Sequence, residues 1–338
     1  MGNFVFCSIL VYGVIISQPL GTSPICLFAC SLLRYQKPGT ISVNKLLSII
    51  IPHFNCEVGL AKLLDSILCS LSEHQLEMIE IIVVDDNSLD ENTFKSWKDN
   101  YPSVVFLSNN SGVRGAGAAR NIGLKHVTGD YLLFADADDF LADDWFSIIS
   151  EHLINNSYDV IYFSPACISL SGRKPTRHLR YVKLVHNFIE NNDASIRYRF
   201  HVPWSKLIST KLVKDNGILF DEVIASNDVS FSLQVGSAAN SIDCKANQIY
   251  VVTEGEGSLT TSKSIDKLLS RVHVLLKYNA SLSSMGESQY CISPLPLIYE
   301  IIKINPTTGL SLFYNLVKSG NRVLHLNYFK RYVLSKVF

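Results

Sequence analysis

Leu46-Leu-Ser-Ile-Ile-Ile51-Pro52 is a continuous apolar run, rich in β-branched residues and closed by proline. That composition describes a strand buried on both faces, as parallel sheets require. Downstream, Leu60, Leu63, Leu64, Ile67, Leu68 and Leu71 recur at helical spacing and predict one apolar face of an amphipathic helix. Ile79 to Val84 reads as a second buried strand that runs into Asp85-Asp86-Asn87-Ser88. A short polar helix from Asp90 to about Asn100 follows, then a third strand from Val104 to Leu107. Gly115 to Val127 predicts another helix, with Gly129 as its stop. Tyr131 to Ala135 is a fourth strand leading directly into Asp136. Four strand–helix alternations with short connections imply right-handed crossovers and a mostly parallel sheet with helices on both faces. Ligands of such sheets bind outside the carboxyl ends of the strands. The acids stand at those ends: Asp85 and Asp86 after the second strand, and Asp136, Asp138 and Asp139 after the fourth.

The 338 residues are 47% hydrophobic, enough for a sizeable core, and 30 basic residues balance 30 acidic ones. A net charge of zero argues against a general nucleic-acid binder, which carries a basic excess. The eight cysteines form no C-x-x-C pair and no cluster with zinc spacing, so free thiols in a reducing cytosol are expected. Cys167 and Cys244 read as small core residues rather than nucleophiles. Residues 1–44 hold two apolar runs, Phe4 to Ile16 and Ile25 to Leu33, each shorter than the roughly 20 residues a spanning helix needs. No Lys or Arg precedes Arg34, which is unlike a signal peptide. We read this segment as lying upstream of the true start, with a weak anchor or a poor signal sequence as the other readings.

Asp136, Asp138 and Asp139 lie within four residues. Like charges so close repel unless a cation joins them. Mg²⁺ and Mn²⁺ favour carboxylate oxygens and leave room for substrate phosphate. The opposing reading is a solvated acidic turn. An EF-hand loop is excluded because Phe140 occupies a ligand position and no glycine follows it.

Four motifs in this stretch resemble those of the family 2 glycosyltransferases of the A fold. Ile51-Pro52-His53-Phe54-Asn55 is similar to their P-x-[YF]-N, and Val84-Asp85-Asp86-Asn87-Ser88 to V-D-D-x-S. Gly117-Ala-Ala-Arg120-Asn121-Ile-Gly123 is similar to A-R-N-x-G, and Phe134-Ala-Asp136-Ala-Asp138-Asp139 to D-x-D-D. All four stand in the family's order and at its separations. The resemblance implies an α/β fold: a Rossmann-like, mostly parallel sheet flanked by helices, with a helical C-terminal extension. It also implies a catalytic domain over 45–261 and the extension over 262–338. Pro52, Phe54, Asn55, Asp85 and Asp86 would then cradle a nucleotide base. Arg120 would approach the diphosphate or pin the acidic loop, against a surface ion pair as the plain alternative. Asp136 would face the ribose, Asp138 would ligate Mn²⁺ or Mg²⁺, and Asp139 would orient its neighbours. Gly112, Gly115 and Gly117 follow the third strand rather than the first, so they fit close helix packing better than a dinucleotide fingerprint.

In the second half, Tyr158 to Ser164 predicts another strand. Trp204-Ser-Lys206 resembles the family's W-x-K, with Trp204 either stacking on a sugar or packed in the core, and Lys206 a further candidate. Phe220-Asp221-Glu222, then Asn227-Asp228, resembles F-x-E…E-D, which makes Asp228 the candidate general base; its alternative is a helix cap. Asn227 departs from the family's glutamate. Acids Glu254 and Glu256 also stand where relatives carry a basic residue. From Ser264 onward the chain reads as helical, with Leu268, Leu269, Val272, Leu275 and Leu276 on one face. After Glu300 there is no acid, and Leu326, Phe329, Val333 and Val337 mix with Arg322, Lys330 and Arg331. That segment suits either peripheral contact with an anionic membrane or packing on the main domain. The expectation is an inverting, metal-dependent transferase with a nucleotide-sugar donor and a glycan or lipid-linked glycan acceptor. By resemblance it would serve surface-polysaccharide synthesis in the cytoplasm or at the inner face of the membrane. A non-catalytic binding module and a nucleotidyltransferase are the competitors. Pro52 to Glu57 lacks the Gly-, Arg- and Lys-bearing loop of nucleotidyltransferases, and no G-x-S-x-G elbow points to a serine hydrolase.

Overall fold

The computed structural model describes residues 6–11, 14–19, 45–155, 158–170, 172, 174–254 and 264–318. The chain divides into two compact units, Met1–Asn44 and Lys45–Phe338. In the first unit, β1 (Phe6–Val11) and β2 (Val14–Pro19) form an antiparallel hairpin, with Val11 opposite Val14. The second apolar run, Ile25 to Leu33, lies outside the described residues.

The second unit begins with β3 (Leu47–His53), α1 (Glu57–Leu68), α2 (Glu73–Glu77), β4 (Ile79–Asp85), α3 (Glu91–Asn100), β5 (Val104–Ser108), α4 (Ala116–His126) and β6 (Tyr131–Phe134). Every residue of β3 and β6 is buried, as expected of strands covered on both faces. Then come β7 (Phe140–Leu141), α5 (Trp145–Asn155), β8 (Val160–Phe163), β9 (Ala166–Ser169), α6 (Leu179–Asn191), α7 (Ile196–Arg199), β10 (Lys206–Ser209) and α8 (Thr210–Asp215). The unit closes with α9 (Val229–Ala238), β11 (Ile242–Lys245), β12 (Tyr250–Glu254), α10 (Ile265–Ser284), α11 (Leu295–Ile304) and α12 (Pro306–Lys318). Seven strands build the main sheet in the order β11-β8-β10-β6-β3-β4-β5, and only β10 runs antiparallel to its neighbours. A small second sheet, β7-β12-β9, was not expected from the sequence.

Parallel register decides where the acids go. His53 pairs with Asp85, Asp85 with Ser108, and Ile50 with Phe134, so the tips of β3, β4, β5 and β6 share one rim. Asp85-Asp86 and Asp136-Asp139 therefore emerge on the same edge of the sheet.

Asp85 locks that rim. Its Oδ1 faces His53 Nδ1 at 2.9 Å and accepts from the Ser88 hydroxyl at 2.5 Å; its Oδ2 accepts the Ser88 and Leu89 amides at 2.9 and 3.2 Å. His53 Nε2 accepts from the Cys56 amide at 3.2 Å. That bond leaves the ring proton on Nδ1, pointing at Asp85. Burial alone would raise the Asp85 carboxyl, but the hydrogen bonds from Ser88, His53 and Leu89 outweigh it and hold the carboxyl below its ordinary value.

The C-terminal helices join the sheet through α9. Leu233 packs with Tyr278, Leu282 and Cys291, while Leu268 and Val272 pack on Ile298, Ile301 and Leu316. The tail segment bearing Leu326, Phe329, Val333 and Val337, with Arg322, Lys330 and Arg331, lies outside the described residues, as does the chain from Gly255 to Lys263. No described helix is long and apolar enough to cross a membrane.

The role expected of Gly129 is corrected. α4 ends at Val127 in an extended conformation, without a left-handed glycine. Gly129 instead runs against β3, where a Cβ would stand 2.6 Å from Leu47 C and Ser48 N. Gly129→Ala is expected to cost about 1–3 kcal/mol by overpacking, read as a lower urea midpoint. A midpoint equal to wild type would refute the close approach. Asp85→Asn is expected to cost about 1–3 kcal/mol at neutral pH. The folded pKa is lowered, so the carboxylate stabilises above its unfolded value, about 3.9, and that share vanishes as pH falls through the folded value. The gap between variant and wild type should accordingly narrow in acid; a gap independent of pH would contradict the lock.

Candidate active site

The loop after β6 carries the acid cluster. One carboxylate oxygen from each of Asp136, Asp138 and Asp139 can be chosen so that all lie within 4.8 Å of one another. Their surroundings differ. Asp139 is 4% exposed; Tyr250 on β12 donates to its Oδ2 at 2.7 Å and the Thr253 amide to its Oδ1 at 2.8 Å. The same Tyr250 oxygen accepts the Asp136 amide at 2.9 Å, so one phenol holds both ends of the loop. Asp136 Oδ1 receives Arg120 Nη2 at 2.5 Å. Asp138 is exposed, and no other described side chain forms a hydrogen bond or ion pair with its carboxylate. Its carboxyl is pushed up, first by the protein around it and then by Asp136. Its backbone packs against Gly59 of α1 while its side chain reaches solvent, so crowding and exposure coexist. Asp139 is pushed well up by burial, then by Asp136 and Asp138. Asp136 raises both Asp138 and Asp139, and Asp138 raises Asp139 further, so a cation between them would relieve the repulsion. The donor set fits a hard divalent ion: Asp138 is available outright, Asp136 keeps acceptor capacity, and Asp139 is committed to Tyr250 and Thr253.

Close approach at glycine shapes this loop. A Cβ on Gly59 of α1 would lie 2.5 Å from Ala137 O and 3.1 Å from Asp138 Cα. Gly117 performs the same service on the other side, where a Cβ would stand 2.2 Å from Asp221 O and 3.0 Å from Asn227 Cβ. The glycine motif after β5 thus seats α4 against the loop of Asp221 to Asp228.

Arg120 joins the two loops. It is 5% exposed, and besides Asp136 it donates from Nη1 to Asn227 Oδ1 at 2.8 Å, with its guanidinium 5.2 Å above the Phe220 ring. Its Nε is buried without a partner. The next residue, Asn121, exchanges hydrogen bonds of 2.9 and 3.0 Å with the Phe220 backbone. Phe220 stacks on Phe231 at 3.9 Å, and Phe134 meets both edge-on beneath the acid loop. Arg120 is thus bonded to the acidic loop, and its burial sets this contact apart from a surface ion pair.

Asp228 occupies the position before α9, yet its side chain makes no cap hydrogen bond. Burial raises its carboxyl; Arg120, its own amide and Lys206 pull the other way, and Asp136 adds to the rise. Lys206 is 1% exposed and donates to Phe200 O at 2.8 Å, with the Tyr162 and Phe200 rings on its flanks. Burial brings its pKa down to about 7, against the pull of Asp228. Trp204 is also 1% exposed and stacks on Tyr250 at 5.3 Å, with Tyr181 edge-on at 5.3 Å. It has no open face for a sugar; it backs the phenol that holds the acid loop.

The expected base cradle is rearranged. Pro52 is buried within β3, paired with Val84. The carboxylate of Asp85 is bonded to His53 of β3 and to Ser88 and Leu89 of its own loop, so it holds the rim together. Phe54 is 43% exposed, and exposed Asn55 takes a left-handed φ of 47° as the chain leaves the strand. Asp86 is 6% exposed and accepts from Asn109 Nδ2 at 2.5 Å and the Gly115 amide at 2.8 Å. Beside it lies a cavity of about 360 Å³, lined by Asn87, Asn109, Asn110, Gly112, Val113 and Arg114. None of these was singled out as a site residue from the sequence. The glycines that open the loop, Gly112 and Gly115 at φ 82° and 122°, were its only visible signal. Cys167 and Cys244 carry thiols whose pKa is raised first by burial, Cys167 to about 12, so neither is poised as a nucleophile.

Known proteins share this fold. Residues 48–217, half of the chain, match the family model described as glycosyl transferase family 2. The poly(ribitol-phosphate) beta-glucosyltransferase of Bacillus spizizenii is 28% identical over 211 residues, 60% of this chain and 31% of that one. This chain therefore spans about a third of that relative's length. The crystal structure of Staphylococcus aureus TarS 1–349 with UDP-GlcNAc superposes with a TM-score of 0.59 at 21% identity, over 79% of this chain and 75% of that one. A mannosyltransferase from Pyrobaculum calidifontis, in complex with GDP-Man and Mn²⁺, superposes at 0.52 and 14% identity, over 91% and 90% of the two chains. The sheet order, the four rim motifs in register and the family match agree: the chain belongs to glycosyltransferase family 2.

Proposed function

We propose that the protein moves a sugar from a nucleotide-diphosphate donor to an acceptor hydroxyl with inversion at the anomeric carbon, in the synthesis of a surface polysaccharide. The observation that carries this is the pairing, through Arg120, of an acid cluster suited to a divalent ion with a carboxylate, Asp228, that no helix cap consumes. The solved neighbours hold a nucleotide sugar, one of them with Mn²⁺, on the same fold.

The donor base would occupy the cavity of the Asn109 to Arg114 loop, with Phe54, Asn55 and Asp86 at its border. Asp136 would face the ribose. Asp138 would hold Mn²⁺ or Mg²⁺, with Asp136 contributing and Asp139 fixing the loop through Tyr250. The ion, when bound, offsets the negative charge on the departing diphosphate. Asp228 accepts the proton of the acceptor hydroxyl as that oxygen forms its bond to the anomeric carbon and the bond to the diphosphate oxygen breaks. One displacement with one base gives inversion. A carboxyl raised by burial is a stronger base than an exposed one, which suits the task. Asn227 keeps Arg120 bonded where the family's glutamate would stand, and this favours turnover over a binding module.

Asp228→Asn is expected to lower turnover of nucleotide sugars by about 10²–10⁴-fold, the scale of a lost catalytic proton transfer, and Asp138→Ala to abolish it by loss of the ion. Activity should stop in EDTA and return with Mn²⁺ or Mg²⁺. Full activity in EDTA, or in the Asp228 variant, would end the proposal. Tyr250→Phe should weaken Mn²⁺ binding by about 10–100-fold while the protein stays folded, because the phenol orients the acid loop. Calorimetry with Mn²⁺ reads this, and unchanged affinity would show that Tyr250 does not position the site.

A further inference from the structure

Between the acid loop and Trp204 lies a stretch charged in one sense. From Ser164 to Ile189 the chain holds Arg173, Lys174, Arg177, Arg180 and Lys183 and no acid, in a protein whose net charge is zero. The fold brings part of this run to the cleft. β9 pairs in parallel with β12, Ser169 opposite Glu254, and β12 is the strand whose Tyr250 and Thr253 hold Asp139. The chain then enters α6, whose Tyr181 is buried against Trp204.

Among the described residues, the guanidinium groups of Arg177 and Arg180 have no carboxylate partner. Arg180 is exposed; its guanidinium lies 4.5 Å above the Tyr181 ring and donates to the Tyr181 hydroxyl. Arg177 gives its backbone N–H to Glu254 Oε1 at 2.8 Å, but its guanidinium forms no hydrogen bond or ion pair with the described residues. Next to it, His178 Nδ1 is buried without a partner. These cations stand at the first turn of α6, where the helix dipole disfavours positive charge and no acidic residue compensates. Packing ties the arginines to the site. Arg180 lies on Tyr181, Tyr181 meets Trp204 edge-on, and Trp204 stacks on Tyr250, the phenol that holds the acid loop. Tyr181 is pushed up to about 12 by burial, with Arg180 and Arg177 opposing the rise and Asp228 adding to it.

We propose that Arg177 and Arg180 form an anion-binding wall on the acceptor side of the cleft, and that the acceptor is a phosphodiester-bearing polyol or glycan. The guanidinium fork matches phosphate oxygens in pairs, and half-buried His178, whose Nδ1 is unpaired, supplies a further polar contact. The inference rests on the transferase reading, since it takes Asp228 to mark where the acceptor hydroxyl lies. Phosphate could come instead from the donor's diphosphate, and the experiment separates the two sources.

Fluorescence anisotropy with labelled poly(ribitol phosphate), with neutral dextran beside it, reads the acceptor side. Calorimetry with UDP and Mn²⁺ reads the donor side. Wild-type protein should bind the phosphate polymer and not dextran, more weakly as salt rises. Arg177→Ala/Arg180→Ala should weaken polymer binding at least tenfold and leave UDP affinity within twofold, while the Lys/Lys pair restores part of the loss. Loss of UDP affinity with polymer binding kept would assign the arginines to the donor and overturn the proposal. So would equal binding of dextran, or no polymer binding by wild type at low salt. Failure of UDP to bind wild type would instead strike the transferase reading itself.

Discussion

Arg120 is the residue on which the site depends. A guanidinium in the core needs carboxylate or amide partners in fixed directions, and its planar fork can serve two loops at once. Here one arm takes Asp136 and the other Asn227, so the acid loop after β6 and the loop before α9 are set by one rigid group. The neighbouring groups serve the same end. Gly117 lets α4 approach the second loop, Asn121 clamps its Phe220 backbone, and Tyr250 closes the first loop from the opposite side. Asp138 and Asp228 remain, each without such a clamp. A site in which the supporting groups are bonded to one another and these two carboxylates are not is organised for ligands rather than for stability alone.

The same division runs along the rim. Asp85 and Asp86 are adjacent in sequence but differ in kind. Asp85 is bonded to His53, Ser88 and Leu89, which fixes the turn out of β4. Asp86 is bonded to Asn109 and Gly115, and so positions the loop that walls the cavity. One acid holds the edge of the sheet and its neighbour shapes the space beside it.

Much of this could be read from the chain because buried parallel strands announce themselves. Ile49 to Ile51, Ile81 to Val84 and Tyr131 to Phe134 are apolar without alternation, and the acids that end them mark the rim. Helix limits were also legible where Asp90 caps and where glycine permits contact. Other features were hidden for identifiable reasons. The hydrogen bonding of Asp85 depends in part on backbone amides, which no side-chain pattern reveals. Tyr250 lies in a short strand of a second sheet, among residues 249–253 that resemble any apolar core run. Trp204 has the same composition whether it stacks on a sugar or on Tyr250, and only burial decides. Gly129 follows a helix in sequence, but its value comes from β3, more than 80 positions earlier.

A double-mutant cycle on Asp136→Ala and Asn227→Ala, read by urea unfolding, tests the bridging role of Arg120 most directly. The two side chains share one partner, so the account predicts effects on stability that depart from additivity by about 1 kcal/mol or more. Additivity within about 0.3–0.5 kcal/mol, the behaviour of independent sites, would contradict it.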